Sequence, residues 1–312
     1  MRLPADRTRS VSLLDVAERA GVSGQTVSRV ANNMGNVAKG TRERVERAMA
    51  ELGYRPNIAA RALRSGTFRS IAVVTFDVES FGNVRTISAI ANEAALRNYA
   101  VELIQIPSEG GQAGAVNFSW AMQRLGQEAV DGIILILETS DATAAALGIP
   151  QDLPVVIVDA HTGPLYPAVD ADQQQGAELA VNHLLELGHS TVWHVAGPAV
   201  SNAATARRQA WESCLTALGR EVPPALTGDW TPESGYRAGL ELAETPGVSA
   251  VFVANDQMAL GVLRAFHERG IAVPDQVSVV GFDDMAESAQ FWPPLTTVHQ
   301  HFELAGSTAV SL

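Results

Sequence analysis

Apolar positions near the start of the chain recur at helical spacing. Leu13, Val16, Ala17 and Ala20 fall at i, i+3, i+4 and i+7, one face of a helix running Leu13 to Ala20. Ser12 is placed to cap that helix, Asp15 sits in its first turn, where the helix dipole favours an acid, and Gly21 ends it. After the turn Gly21-Val22-Ser23, Ser23 caps a second helix through about Ala31 that turns Val27 and Val30 inward. A third helix, Thr41 to Leu52, carries the stripe Val45, Ala48, Met49 and Leu52, with Gly53 beyond it. Two short helices joined by a three-residue turn containing glycine form a helix-turn-helix pattern.

From Ser70 the period changes. Short β-branched runs alternate with helical stretches, as in a parallel α/β sheet. The runs are IAVVTF (71–76), VELIQI (101–106), GIILIL (132–137), VVIVDA (155–160), TVWHVAG (191–197), AVFVAND (250–256) and VSVVGFDD (277–284). Helices are expected over Ala89 to Asn98, Gln175 to Leu187, Ala203 to Leu218, Glu233 to Ala243 and Gln257 to Arg269. The runs suffice for two Rossmann-like lobes, so the expected fold is a small all-α helix-turn-helix head on a two-lobed α/β core.

Ligands of open parallel sheets bind outside the carboxyl ends of the strands. Asp159, Asn255, Asp256, Asp283 and Asp284 end three of the runs, and Arg207 lies in ATARRQAW at the start of a helix. Carboxylates, an amide and a guanidinium in such places suit paired sugar hydroxyls. Trp230, after Gly228-Asp229, offers a plate for the less polar face of a pyranose. Asp256 is expected to serve as a helix N-cap instead.

Net charge alters the picture. Over 312 residues it is −12, which by itself argues against a polyanionic partner. Residues 1–66, however, hold 12 basic against 6 acidic side chains, net +6, and residues 67–312 hold 10 against 28, net −18. A basic head on an acidic body is expected where one small domain meets phosphates and the rest has another task. The single cysteine, Cys214, excludes an intramolecular disulfide framework. A polar N-terminus without an apolar signal region, and a longest aliphatic run of only Ile133 to Leu137, point to a cytoplasmic, nucleoid-associated protein with no membrane span. The chain has no G-x-S-x-G, P-loop or G-x-G-x-x-G signature, so acyl transfer, nucleotide hydrolysis and dinucleotide redox chemistry lack their usual signs and no cofactor is expected. His299 and His301 share a strand period without a third metal ligand at motif spacing and are read as structural.

In a helix-turn-helix the second helix enters the major groove. Gly24, Gln25, Thr26, Ser28 and Arg29 then face the bases: Gln pairs bidentately with adenine, Arg with guanine, and hydroxyls suit phosphates or either base. The alternative is a three-helix interaction module with solvated arginines. After Tyr54-Arg55-Pro56, the stretch NIAARALRSG is too short to be a stable isolated helix, since such helices are marginal below ~12–15 residues. Residues 57–65 are expected to become helical only against a second copy on DNA. Leu63 either wedges into the minor groove there or simply covers the linker.

The segments SLLDVAERAGVSGQTVSRVANN, TRERVERAMAELGYRPN, VFVANDQMALGVLRAF and SVVGFDD resemble the LacI/GalR family of bacterial transcriptional repressors. ANDQMALG, GDW and FWPPLTTVHQHF resemble its β-galactoside-responsive branch. The resemblance implies a DNA-binding domain over 1–55, a hinge helix over 56–66, and over 67–312 a periplasmic-binding-protein-like core that dimerises and holds an inducer between its lobes. It places Ser23, Gln25, Thr26, Ser28, Arg29, Asn32, Asn57, Ala60 and Leu63 at operator DNA. Asp159, Arg207, Asn255 and Asp283 fall on positions that bind galactoside hydroxyls, and Trp230, Gln300 and Phe302 line the same pocket; Gln300 and Phe302 rest on the resemblance alone.

Three departures from that branch stand out. Gly24 replaces a tyrosine before the recognition glutamine, so a different operator is expected, and Ile136 replaces a pocket asparagine. The chain reaches Leu312 inside what should be the last helix of the amino-terminal lobe, which reads as a truncated core. The implied function is a homodimeric repressor released from its operator by a small sugar, with another sugar or a purine as the alternative ligand. A more distant alternative is a sugar-processing enzyme that uses Asp159 and Asp283 as a carboxylate pair.

Overall fold

A computed structural model describes residues 11–32, 34–54, 66–106, 120–125, 130–137, 153–160 and 166–312. The chain divides into two compact units, 1–68 and 69–312. In the first, α1 (Leu13–Ala20) opens with a reciprocal capping box: Asp15 N–H donates to Ser12 Oγ, and Ser12 N–H donates to the Asp15 carboxylate. Its end is the left-handed Gly21, φ 64°. Ser23 caps α2 (Gly24–Ala31), accepting from Thr26 N–H. α3 (Lys39–Leu52) begins two residues before the expected Thr41, without a side-chain cap. Val16, Ala17, Ala20, Val27, Val30, Val45 and Ala48 form the core of this bundle, with Met49 and Leu52 packed at its margin.

The second unit holds two five-stranded parallel sheets. The first comprises β1 (Ser70–Thr75), β2 (Ala100–Gln105), β3 (Gly132–Ile136), β4 (Val155–Val158) and β5 (Ala168–Val169), in spatial order β2-β1-β3-β4-β5. The second comprises β6 (Trp193–Ala196), β7 (Leu226–Thr227), β8 (Ala250–Val253), β9 (Ser278–Asp283) and β10 (Thr296–His299), in order β7-β6-β8-β9-β10. Both lobes therefore share the doubly wound order 2-1-3-4-5. Near-continuous apolar strands such as Val155–Val158 and Ala250–Val253 are buried on both faces, as helices on each side of a parallel sheet require.

On the second sheet, α5 (Gln173–Glu186) and α6 (Asn202–Ala217) cover one face, and α7 (Pro232–Glu244) and α8 (Asp256–Glu268) the other. On the first, α4 (Phe81–Leu96) and α9 (Phe302–Ser311) share a face. The helix after β5 thus packs on the second lobe, and the helix after β10 returns to the first. Among the described residues, two crossovers join the lobes. Capped by Ser80, α4 starts at Phe81, eight residues before the expected Ala89, because its first turns are too polar to show an apolar stripe. Ile136 lies wholly buried among Val73, Ile90, Ile134, Val156, Val158 and Ala309.

Candidate functional site

The carboxyl ends of both sheets open onto a cleft. Asp159, Arg207, Trp230, Asn255, Asp283, Gln300 and Phe302 all line it. From the first lobe, Ser80, Phe81 and Asn83 at the start of α4 face the same space, and from the second, Gln173, Ser201 and Gln257. None of these six was identified from the sequence. Ile136 does not line the cleft.

A ring of polar side chains forms one wall. Arg207 Nε donates to Gln173 Oε1 at 2.9 Å, Gln173 Nε2 to Gln300 Oε1 at 3.2 Å, and Gln300 Nε2 to Asp283 Oδ1 at 2.6 Å. The Arg207–Asp283 pair at 3.8 Å closes the ring, and Arg207 Nη1 also donates to the Ala254 carbonyl. All four side chains are buried. Burial pulls the Arg207 guanidinium below its ordinary value, while the charges of Asp283 and Asp159 support it. Burial likewise pushes the Asp283 carboxyl up to about 7, outweighing Arg207, and the charge of Asp256 adds to the rise. Asp283 leaves β9 with φ 111° and Asp159 follows β4 with φ 63°, both in the left-handed region. Backbone held this way aims strand-end side chains into a site.

Trp230, φ 72°, lies across the end of β6. A Cβ on Gly197 would overlap its ring, so only glycine there lets the indole approach the backbone. The Arg207 guanidinium stacks 3.8 Å from the Phe282 ring centre and 5.6 Å from that of Trp230. Opposite, Phe302 meets Phe81 edge-on at 5.9 Å. The cleft therefore combines a charged wall with two aromatic surfaces, a suitable lining for a ring bearing several hydroxyls.

The expected cap at Asp256 is incorrect. Asn255 caps α8, its Oδ1 accepting from Met258 N–H at 2.9 Å, and its Nδ2 donates to the Trp230 carbonyl at 3.1 Å. Asp256 instead lies fully buried, accepting from Met285 N–H, Ser288 Oγ and Thr297 Oγ1. A strand-end Asn-Asp pair carries no signal for which member turns back to the helix. His299, at the end of β10, pairs with Asp284 at 2.8 Å and meets His301 edge-on. No His/Cys/Asp/Glu group fit to hold a metal occurs among the described residues.

On the head, Gln25 and Arg29 project from the exposed face of α2. Ser23 and Thr26 bond each other through their hydroxyls at 2.9 Å, and the Asn32 amide turns back to the Ser28 carbonyl at 2.6 Å. A Cβ on Gly24 would stand 3.1 Å from Leu13 Cδ2, a tight contact with the tip of that side chain. Asn57, Ala60 and Leu63 lie outside the described residues. Among the described residues, no helix is long and apolar enough to cross a membrane.

Both units match known sequences. The profile "Bacterial regulatory proteins, lacI family" matches residues 12–57, and "Periplasmic binding protein-like domain" matches residues 181–312. The chain is 36% identical to the lactose operon repressor of Escherichia coli (strain K12) over 304 residues, which is 97% of this chain and 83% of that protein. The chain belongs to the LacI family of bacterial regulatory proteins. This LacI-family protein is also 33% identical to the HTH-type transcriptional repressor PurR of Erwinia tasmaniensis, over 96% of its own length and 89% of that relative's. Its structure matches a crystal structure of the lac repressor dimer bound to operator and the anti-inducer ONPF, with a TM-score of 0.85 at 36% identity, covering 97% of this chain and 91% of that one.

Proposed function

We propose that this protein is a transcriptional repressor that binds a two-fold-symmetric operator as a homodimer and leaves it when a small neutral sugar, a β-galactoside, occupies the cleft. In this reading 1–55 read DNA, 56–66 form the hinge, and 67–312 sense the sugar and dimerise. The observation that carries the proposal is the wall of Arg207, Asp283, Asp159 and Asn255 beside the Trp230 plate at the strand ends. Hydroxyls donate to the two carboxylates and accept from Arg207 and the remaining Asn255 amide hydrogen. The indole covers the apolar face of the pyranose. Gln25 and Arg29 read base edges, and Ser23, Thr26, Ser28 and Asn32 fix the end of α2 against the phosphates. Asn57, Ala60 and Leu63 would act in the minor groove.

A second reading keeps the repressor and changes the ligand to another sugar or a purine. Ile136 favours it, because no polar group enters the cleft from that position, and the similarity to a PurR protein agrees. Titrating the protein with β-galactosides, ribose and purines while following tryptophan fluorescence separates the two readings. Quenching or enhancement by a β-galactoside alone supports the first, and by a purine or ribose alone the second. Incubation with a chromogenic galactoside should show binding without turnover; release of the chromophore would favour the enzyme reading.

A further inference from the structure

Gln173 and Gln300 occupy corresponding places in the chain. Gln173 is the first residue of α5, where the chain enters the second lobe after β5; Gln300 follows β10, where it leaves for α9 and the first lobe. Their hydrogen bond therefore joins the two crossovers that connect the lobes. Each amide also grips a charged side chain of the cleft wall, Gln173 taking Arg207 Nε and Gln300 giving to Asp283 Oδ1. Both amides are buried, which strengthens these bonds.

We propose that Gln173 is a positioning residue that ties the ligand-gripping pair Arg207 and Asp283 to both inter-lobe crossovers, so that occupancy of the cleft changes how the lobes are held. The physical reason lies in the directionality of the ring. The Gln173 amide accepts from Arg207 through its oxygen and donates to Gln300 through its nitrogen at once. A ligand hydroxyl that draws Asp283 or Arg207 toward itself must lengthen or re-aim a bond of the ring, and the strain falls on the amide pair between the crossovers. Because an equilibrium between lobe arrangements shifts only by differential interaction, a ring satisfied in one arrangement and stretched in the other supplies that difference. The regulatory part rests on the repressor reading above; the mechanical part does not.

Two variants separate the two bonds. Gln173→Leu removes both at similar volume. Gln173→Glu keeps an acceptor for Arg207 but sets a carboxylate against Gln300 Oε1, so it breaks only the bond between crossovers. With Cys214→Ser as background and spin labels at Gln105→Cys on the first lobe and Glu212→Cys on the second, both variants should broaden or displace the inter-lobe distance distribution of the unliganded protein. Distributions identical to that of the glutamine protein would overturn the proposal whatever the ligand proves to be. In the operator assay, both variants should show a release at saturating β-galactoside reduced by about three- to tenfold, whatever their affinity for the sugar, within the range of single-residue effects on coupling. Weakened ligand binding with full release at saturation in both variants would show that Gln173 serves Arg207 alone. If the parent protein answers to no sugar or purine, the repressor reading fails, and the distance measurement still decides the mechanical claim.

Discussion

Asp283 carries opposed demands. Its burial beside Asp256 favours the neutral acid, while Arg207 and the Gln300 amide favour the carboxylate. With a carboxyl at about 7 in the folded protein and 3.8 as its ordinary value, the folded state keeps a proton that the unfolded chain gives up between those pH values. Stability from this group is therefore present at low pH and lost as pH rises toward 7, each pK unit corresponding to about 1.4 kcal/mol. Thermal midpoints of the protein should fall between about pH 4 and 7 more steeply than those of Asp283→Asn, and parallel slopes would contradict the assignment. Strand-end position made Asp159, Asn255 and Asp283 legible as candidates from sequence, since only the topology was needed to bring them to one opening. Gln173 was not legible. A neutral residue inside the run QQQ, with no charge or period to mark it, acquires its partners only when α5 and α6 pack.

At the scale of elements, the head was readable almost to the residue because caps, stripe and αL glycines all act within a few positions of one another. The core strands with long apolar runs were equally plain. β5, β7 and β10 were not, being two to four residues long and stabilised by neighbours in the sheet rather than by any pattern of their own. The last helix, α9, was missed from periodicity since Gly306 and small neighbours fit closely against α4 rather than forming a large apolar stripe. The recognition helix carries its own prediction. Arg29→Ala and Gln25→Ala should each weaken operator binding by about 1–3 kcal/mol and relax preference at one base pair. Retardation assays on single-base operator variants check this; a uniform loss across all sequences would instead assign them to phosphates.

At the scale of the whole molecule, the sign of the net charge misleads. The acidic balance belongs to residues 67–312, and the basic residues concentrate in 1–66. Operator affinity should therefore fall steeply with salt, on the order of a thousandfold between roughly 50 and 200 mM, because the head releases condensed counterions on binding. A flat response would contradict a phosphate-contacting head. The two crossovers, invisible in any local pattern, place the polar ring of the cleft at the junction of the lobes. The most direct test is operator retardation by the full chain at fixed salt, with and without a saturating β-galactoside. A sequence-specific complex that dissociates when the sugar is added is the expected result. A complex unaffected by every sugar and purine tried, or no specific complex at all, would contradict it.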